Sequence, residues 1–115
     1  MSSAASDVYK RQDIAYLKCI QDMVVTAPKD GNELRNLLYS GLDYSQGPFS
    51  IRYPKASSIN FDQAGQAELL SIGNWEVCRK STGKTVILSV GPQVFDGLSA
   101  ADNLSNQNIE CEVVN

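Results

Sequence analysis

The sequence contains no histidine, which removes the commonest general base and the commonest metal ligand of proteins. A Ser-His-Asp or Cys-His nucleophile therefore cannot be built from this chain alone. Its Asp, Glu, Lys and Tyr residues stand at no spacing typical of a catalytic motif. If the chain takes part in catalysis, a cofactor or another polypeptide has to supply the reactive group.

Long hydrophobic runs are also missing. No stretch approaches the roughly 20 apolar residues that cross a bilayer, and the N-terminus lacks the apolar segment of a secretory signal. A hydrophobic content of 43% with a net charge of −3 argues against a disordered chain and against a basic nucleic-acid module. We therefore expect a small cytoplasmic α/β or α+β domain with no membrane or nucleic-acid partner.

Cysteine is sparse, and its three positions, Cys19, Cys78 and Cys111, lie far apart. An odd number without a C-x-x-C pair fits neither a closed disulfide framework nor a four-thiolate zinc site. The spacing predicts three reduced, buried thiols.

The first half of the chain has the pattern of a strand–helix–strand unit. An apolar run at residues 23–25 predicts a buried strand, and the alternating residues 49–53, closed by Pro54, predict a second strand. Between them, Asp30 and Glu33 form a D-x-x-E capping box, which predicts that a helix begins at Asp30.

The predicted helix has one apolar stripe, spaced i, i+3, i+4, i+8, which we expect to face a sheet. Its members are Leu34, Leu37, Leu38 and Leu42. The polar side chains expected to face water are Arg35, Asn36 and Ser40.

The second half repeats the strand–helix–strand order. Residues 69–80 predict a first strand, and the β-branched run 85–90 is typical of a parallel strand covered on both faces. Apolar residues at helical spacing over 94–104 predict a helix, and residues 109–114 alternate like a strand. Within residues 69–80, Trp75 is expected to be a core or interface anchor. The fold class is thus α/β, with two partial parallel-sheet units, and we expect strands 49–53 and 109–114 to be unpaired edges.

Composition divides the chain into parts. Residues 1–12 show no periodic apolar face and predict a disordered or artefactual leader. A polar stretch over 57–68 predicts a linker between a first unit, 13–56, and a second unit, 69–115. Because a doubly wound sheet normally needs more strands, we expect the second unit to be truncated.

Arg52 and Lys55 bracket the Tyr53-Pro54 pair at the predicted carboxyl end of a strand. Ligands of α/β proteins collect at that edge, and two cations there could hold a phosphate. On residue types alone, an ordinary solvated pair is the favoured interpretation, because Lys and Arg are common at strand ends. The turn 29–32 has the character of an anion-binding helix start, but an ordinary capped helix start explains the same residues and is the favoured interpretation.

Several stretches of sequence together resemble one enzyme family. Residues 13–30 read DIAYLKCIQDMVVTAPKD, residues 32–35 read NELR, and residues 51–55 read IRYPK after a Gly-Pro pair. Residues 70–77 read LSIGNWEV. In order and spacing, these resemble 1-deoxy-D-xylulose-5-phosphate synthase, a transketolase-like family.

The resemblance implies a thiamine diphosphate and Mg²⁺ enzyme. Such an enzyme condenses pyruvate with glyceraldehyde 3-phosphate, with loss of CO₂, and feeds isoprenoid, thiamine and pyridoxal synthesis, and we expect the parent to be a homodimer. The resemblance assigns 13–56 to the end of the pyrimidine-binding domain and 69–115 to the start of the C-terminal domain. The family's cofactor and metal motifs fall before Asp13, so we expect the fragment alone to bind neither group and to be inactive.

One family site residue maps inside the chain. The second arginine of the family's R-Y-P-R-G signature, associated with the substrate phosphate, falls on Lys55, and the following glycine is Ala56. Lysine keeps the charge but loses the bidentate fork. Arg52 is expected to support the site. A fragment of another transketolase relative and a small non-enzymatic α/β interaction domain remain the alternatives.

Overall fold

A computed structural model describes residues 12–55, 57 and 60–115. Residues 12–17 are helical and are called α1. The other elements follow in the order β1 (Val24–Thr26), α2 (Gly31–Asp43), β2 (Phe49–Ile51), β3 (Val77–Arg79), β4 (Thr85–Leu88), α3 (Gln93–Ser105) and β5 (Cys111–Val114). Residues 1–11 of the predicted leader lie outside the described residues, whereas Gln12 already belongs to α1.

The first sheet consists of β1 and β2, which pair in parallel with Val24 opposite Phe49 and Thr26 opposite Ile51. Helix α2 connects the two strands, so the predicted strand–helix–strand unit is confirmed. The last rung is the Arg52 N–H, which donates to the Thr26 carbonyl at 2.8 Å. Pairing stops there, and Pro54 has no N–H with which to resume it.

The second sheet has the strand order β3-β5-β4. Strands β4 and β5 pair in parallel, with α3 between them in sequence, which confirms the second predicted unit. Strand β3 is antiparallel to β5. Strand β5 is therefore central, and the expectation that residues 109–114 form an unpaired edge is wrong.

The core of this second sheet lies on one face only. Its fully buried residues are Ala101, Cys111 and Val113, packed by helix α3. On the other face of the edge strand β4, Val86 is 51% exposed and Leu88 63% exposed. The expectation of a strand covered on both faces is wrong for the described chain, because α3 covers one face and no described element covers the other.

The start of α2 follows the predicted capping box. The Asp30 carboxylate accepts the Glu33 N–H at 2.9 Å, as an N-cap does. The Glu33 carboxylate reaches back one residue further than expected, to the Lys29 N–H at 2.6 Å. Two otherwise unpaired N–H groups of the helix start are satisfied in this way.

The apolar stripe of α2 is narrower than predicted. Leu37 is buried, but Leu38 is half exposed and Leu42 is 89% exposed. The predicted stripe spans more surface than a sheet of two short strands can cover. Ser40, expected to face water, is buried because its hydroxyl donates to the Asn36 carbonyl and accepts the Leu70 N–H, each at 2.8 Å.

Residues 60–76 contain neither helix nor strand and lie along α2. The Asp62 N–H donates to the Asn32 side chain at 2.9 Å, and the Arg35 guanidinium donates to the Asp62 carbonyl at 2.7 Å. The guanidinium also lies 5.7 Å from the centre of the Phe61 ring. The Glu68 N–H donates to the Asn36 side chain at 3.2 Å. These contacts explain why Arg35 and Asn36 are only half exposed, in contrast to the prediction.

The three cysteines are free thiols, as predicted, but they are not all buried. Cys111 is buried and Cys78 is half-buried, whereas Cys19 is exposed in the turn after α1, where its thiol contacts the Ala15 carbonyl. Trp75 is also exposed and does not contribute to the core. Among the described residues, no helix combines the length and the apolar content needed to cross a membrane.

Candidate functional site

A cavity of about 390 Å³ lies at the carboxyl ends of the parallel strands. Its wall combines residues that follow β1, β2 and β4, namely Pro28, Lys29, Asp30, Gly31, Leu34, Tyr53, Pro54, Lys55, Ser57 and Pro92. Both sheets therefore contribute to it. This edge is where open α/β sheets bind their ligands.

The turn before α3 closes one side of the cavity. Gly91 has a φ of +64° and packs against the end of β1, where a Cβ would meet the Ala27 side chain at 3.4 Å. A left-handed backbone at this close approach favours glycine. The turn thereby places Pro92 beside Pro28 in the cavity wall.

Lys55 lies at the rim of this cavity, four residues beyond the end of β2. Its side chain is exposed, and the structure gives it no ion pair among the described residues. The ammonium group is thus available to an anion. This placement is compatible with the predicted role of Lys55 as a phosphate ligand.

Lys29 is a second cation of the cavity wall, and its surroundings differ. Its ammonium lies 2.6 Å from a carboxylate oxygen of Glu76 and 3.9 Å from one of Glu33, and its side chain is only 19% exposed. Burial lowers the pKa of Lys29, but the hydrogen bond that its ammonium donates to Glu76 and the nearby carboxylates, including Asp30, outweigh this effect, so the pKa is raised. Lys29 is therefore a charged but already paired cation.

Arg52 does not line this cavity. It lines a separate cavity of about 360 Å³, together with Asp13, Tyr16 and Leu17 of α1. The two predicted cations therefore do not converge on one cavity. No alternation in the sequence indicated this, since the consecutive residues Tyr53, Pro54 and Lys55 all line the same wall.

Sequence reasoning missed the pairing of Lys29 with Glu76. Lys29 follows β1 and Lys55 follows β2, so the parallel pairing of these strands was a signal that both lysines share one sheet edge. Glu76 lies 47 residues away from Lys29, within the LSIGNWEV stretch, and nothing in the sequence indicates that it contacts Lys29.

The cavity is chemically suited to a small anionic molecule. Most of its wall is apolar, and its cationic groups stand beside the N-terminus of α2, whose dipole also favours negative charge. Among the described residues of the wall, Asp30 is the one carboxylate, and it is engaged as the helix cap. Such a surface would hold a phosphate at one end and a short carbon chain along the other.

The described residues do not fit Mg²⁺ or a metal-bound diphosphate. Across residues 12–55, 57 and 60–115, no three His, Cys, Asp or Glu side chains stand close enough together to hold a metal ion. Mg²⁺ needs oxygen ligands, usually carboxylates, and the only carboxylate of the cavity wall already caps α2. A metal or cofactor of the parent enzyme would need ligands from outside these residues.

Known proteins resemble this chain in both sequence and fold. The chain is 44% identical over 104 residues to the 1-deoxy-D-xylulose-5-phosphate synthase of Synechococcus sp. (strain JA-2-3B'a(2-13)). It is 43% identical over 103 residues to that of Aquifex aeolicus (strain VF5) and 38% identical over 103 residues to that of Thermomicrobium roseum (strain ATCC 27502 / DSM 5159 / P-2). No protein-family model matches the chain.

A solved structure described as a split-gene transketolase, an inactive β4 tetramer, superposes with a TM-score of 0.74 at 25% identity. The superposition covers 90% of this chain and 33% of that one. The fold is thus that of a transketolase-type α/β protein, as the motifs predicted. The sequence resemblance to 1-deoxy-D-xylulose-5-phosphate synthase is also confirmed, over 90% of the chain, and the chain spans about 16% of the length of those curated relatives.

Proposed function

We propose that this chain supplies the aldehyde-phosphate end of the active site in a parent enzyme of the 1-deoxy-D-xylulose-5-phosphate synthase type. The parent would condense pyruvate with glyceraldehyde 3-phosphate, with loss of CO₂, using thiamine diphosphate and Mg²⁺ held by other residues. A cytoplasmic homodimer serving isoprenoid, thiamine and pyridoxal synthesis belongs to the same proposal. The similarity to the named synthases supports this reading over a non-enzymatic interaction domain.

One observation carries the proposal: Lys55, aligned by motif with the family's phosphate-binding arginine, lines the cavity at the carboxyl ends of the strands. Its ammonium would hold the phosphate of glyceraldehyde 3-phosphate. Pyruvate has no phosphate, so it gains nothing comparable from this contact. Arg52, in the neighbouring cavity, would act on the site only indirectly, through the end of β2.

The test is Lys55→Ala in a full-length parent enzyme that carries this segment. A hydrogen bond between charged groups is worth about 1.5 to 3 kcal/mol, so we expect kcat/KM for glyceraldehyde 3-phosphate to fall about tenfold to a hundredfold, through KM. The KM for pyruvate should stay unchanged. Lys55→Arg should be neutral or better, because the guanidinium fork suits a phosphate.

Lys84→Ala is the matched control, since Lys84 is an exposed lysine in the turn before β4, outside the cavity wall. It should leave both KM values unchanged. Equal effects of Lys55→Ala on the KM values of both substrates would show that Lys55 acts through folding. No effect on either KM would show that Lys55 is a solvated surface residue without a role in binding.

The 115-residue chain by itself is expected to form no product from pyruvate and glyceraldehyde 3-phosphate. Its described residues offer no cluster for the metal ion, and the cofactor motifs of the family have no counterpart among them. Turnover by the purified chain, supplied with thiamine diphosphate and Mg²⁺, would contradict this part of the proposal.

A further inference from the structure

The two cations of the cavity wall are not equivalent, and the difference originates in the second half of the chain. Glu76 precedes β3, and its backbone is fixed to the end of β5 by two hydrogen bonds with Asn115, at 2.8 and 3.2 Å. From there its carboxylate reaches the Lys29 ammonium at 2.6 Å. A residue of the second sheet thus holds a cation that belongs to the first.

Glu33, the other acidic neighbour of Lys29, has little capacity to replace Glu76. One of its carboxylate oxygens accepts the Lys29 N–H at 2.6 Å, and the other accepts the Asn115 side-chain amide at 3.1 Å. The distance from that carboxylate to the Lys29 ammonium is 3.9 Å, beyond a hydrogen bond. Glu76 is therefore the group that decides where this ammonium lies.

We propose that Glu76 is a specificity-determining positioning residue. It draws the Lys29 ammonium away from the cavity and so leaves Lys55 as the anion ligand of the cavity. The cavity then presents one free positive charge to a phosphate. Without the Glu76 charge, Lys29 would become a second phosphate ligand. The inference rests on the proposed anion site, and it adds that the second sheet sets the charge of this site.

The Lys29–Glu76 ion pair contributes little to the stability of the fold. Removal of the Glu76 charge should therefore change phosphate binding without unfolding the chain. Glu76 is 53% exposed, and an ion pair with so exposed a partner contributes little to folding. Glu76→Gln preserves the side-chain volume and the backbone pairing with Asn115. We therefore expect this variant to fold.

The experiment is a titration of the 115-residue chain with inorganic phosphate at constant ionic strength, followed by the amide resonance of Gly31 in the cavity wall. Glu76→Gln should bind phosphate about threefold to tenfold more tightly, as expected for one added, partly exposed charge-assisted contact. In the Glu76→Gln background, Lys29→Gln should abolish that gain. Lys29→Gln alone should change the affinity less than twofold, because the ammonium is already occupied.

Unchanged or weaker phosphate binding by a folded Glu76→Gln chain would overturn the inference. If that variant does not fold, Lys29→Gln alone still decides: a loss of affinity as large as that of Lys55→Ala would show that Lys29 already binds the anion. The proposed function fails separately, when Lys55→Ala leaves the KM for glyceraldehyde 3-phosphate unchanged in the parent enzyme. The two failures are therefore distinguishable.

Discussion

At the scale of single residues, chemistry in this chain depends on partners that are distant in sequence. Lys29 and Lys55 line the same cavity, yet only Lys29 has carboxylates around its ammonium. Residue type and strand-end position were enough to predict Lys55 as a candidate. They could not predict that Lys29 is paired, because its partner Glu76 lies 47 residues away and nothing local in the sequence indicates a contact between such distant segments.

The thiols offer a test of burial at this scale. The thiolate is the reactive form, and burial, followed by the charge of Glu76, raises the pKa of Cys78. We expect a maleimide at neutral pH to modify the exposed Cys19 first, Cys78 more slowly, and the fully buried Cys111 only after unfolding. Peptide mapping by mass spectrometry as a function of time measures the order. Equal rates at Cys19 and Cys111 in the folded chain would contradict the described core.

At the scale of elements, the second sheet shows what local pattern can and cannot predict. The β-branched runs and the helical spacing predicted β4, α3 and β5 in the right order. The position of β5 between β3 and β4 was not predictable, because the order of strands depends on pairings between distant segments. The continuous apolar run of β4 predicted burial on both faces, but one face is exposed. The run does not show which elements pack against the strand, because those elements come from other parts of the chain.

A matched pair of valines tests this arrangement. Val113 is fully buried in the central strand β5, whereas Val86, on the edge strand β4, is 51% exposed. Removing two buried methyl groups and leaving a cavity should make Val113→Ala cost about 2 kcal/mol of unfolding free energy. Val86→Ala deletes the same atoms from a surface position and should cost less than about 0.5 kcal/mol. Urea unfolding followed by circular dichroism gives both values, and similar losses at the two sites would refute the assignment of β5 as central.

At the scale of the whole molecule, the chain buries few of its large apolar side chains. Six hydrophobic residues are buried in the described part, and fourteen large ones are exposed. The exposed set includes Leu38 and Leu42 on α2, Trp75, and Val86 and Leu88 on β4. The two small sheets contact each other through the Lys29–Glu76 ion pair and the hydrogen bond from Asn115 to Glu33, contacts that add no apolar core.

The isolated chain is therefore expected to be marginally stable and prone to self-association. Hydrophobic burial is the main favourable contribution to folding, and a core of six residues leaves the free energy of unfolding below about 5 kcal/mol, at the lower limit of natural domains. Exposed apolar faces and the free edge of β4 favour contacts between copies. Thermal unfolding followed by circular dichroism should give a broad transition whose midpoint depends on protein concentration, and light scattering should detect species larger than a monomer. A sharp, concentration-independent transition of a monomeric chain would contradict this expectation, since it would require a larger core than the six buried residues provide.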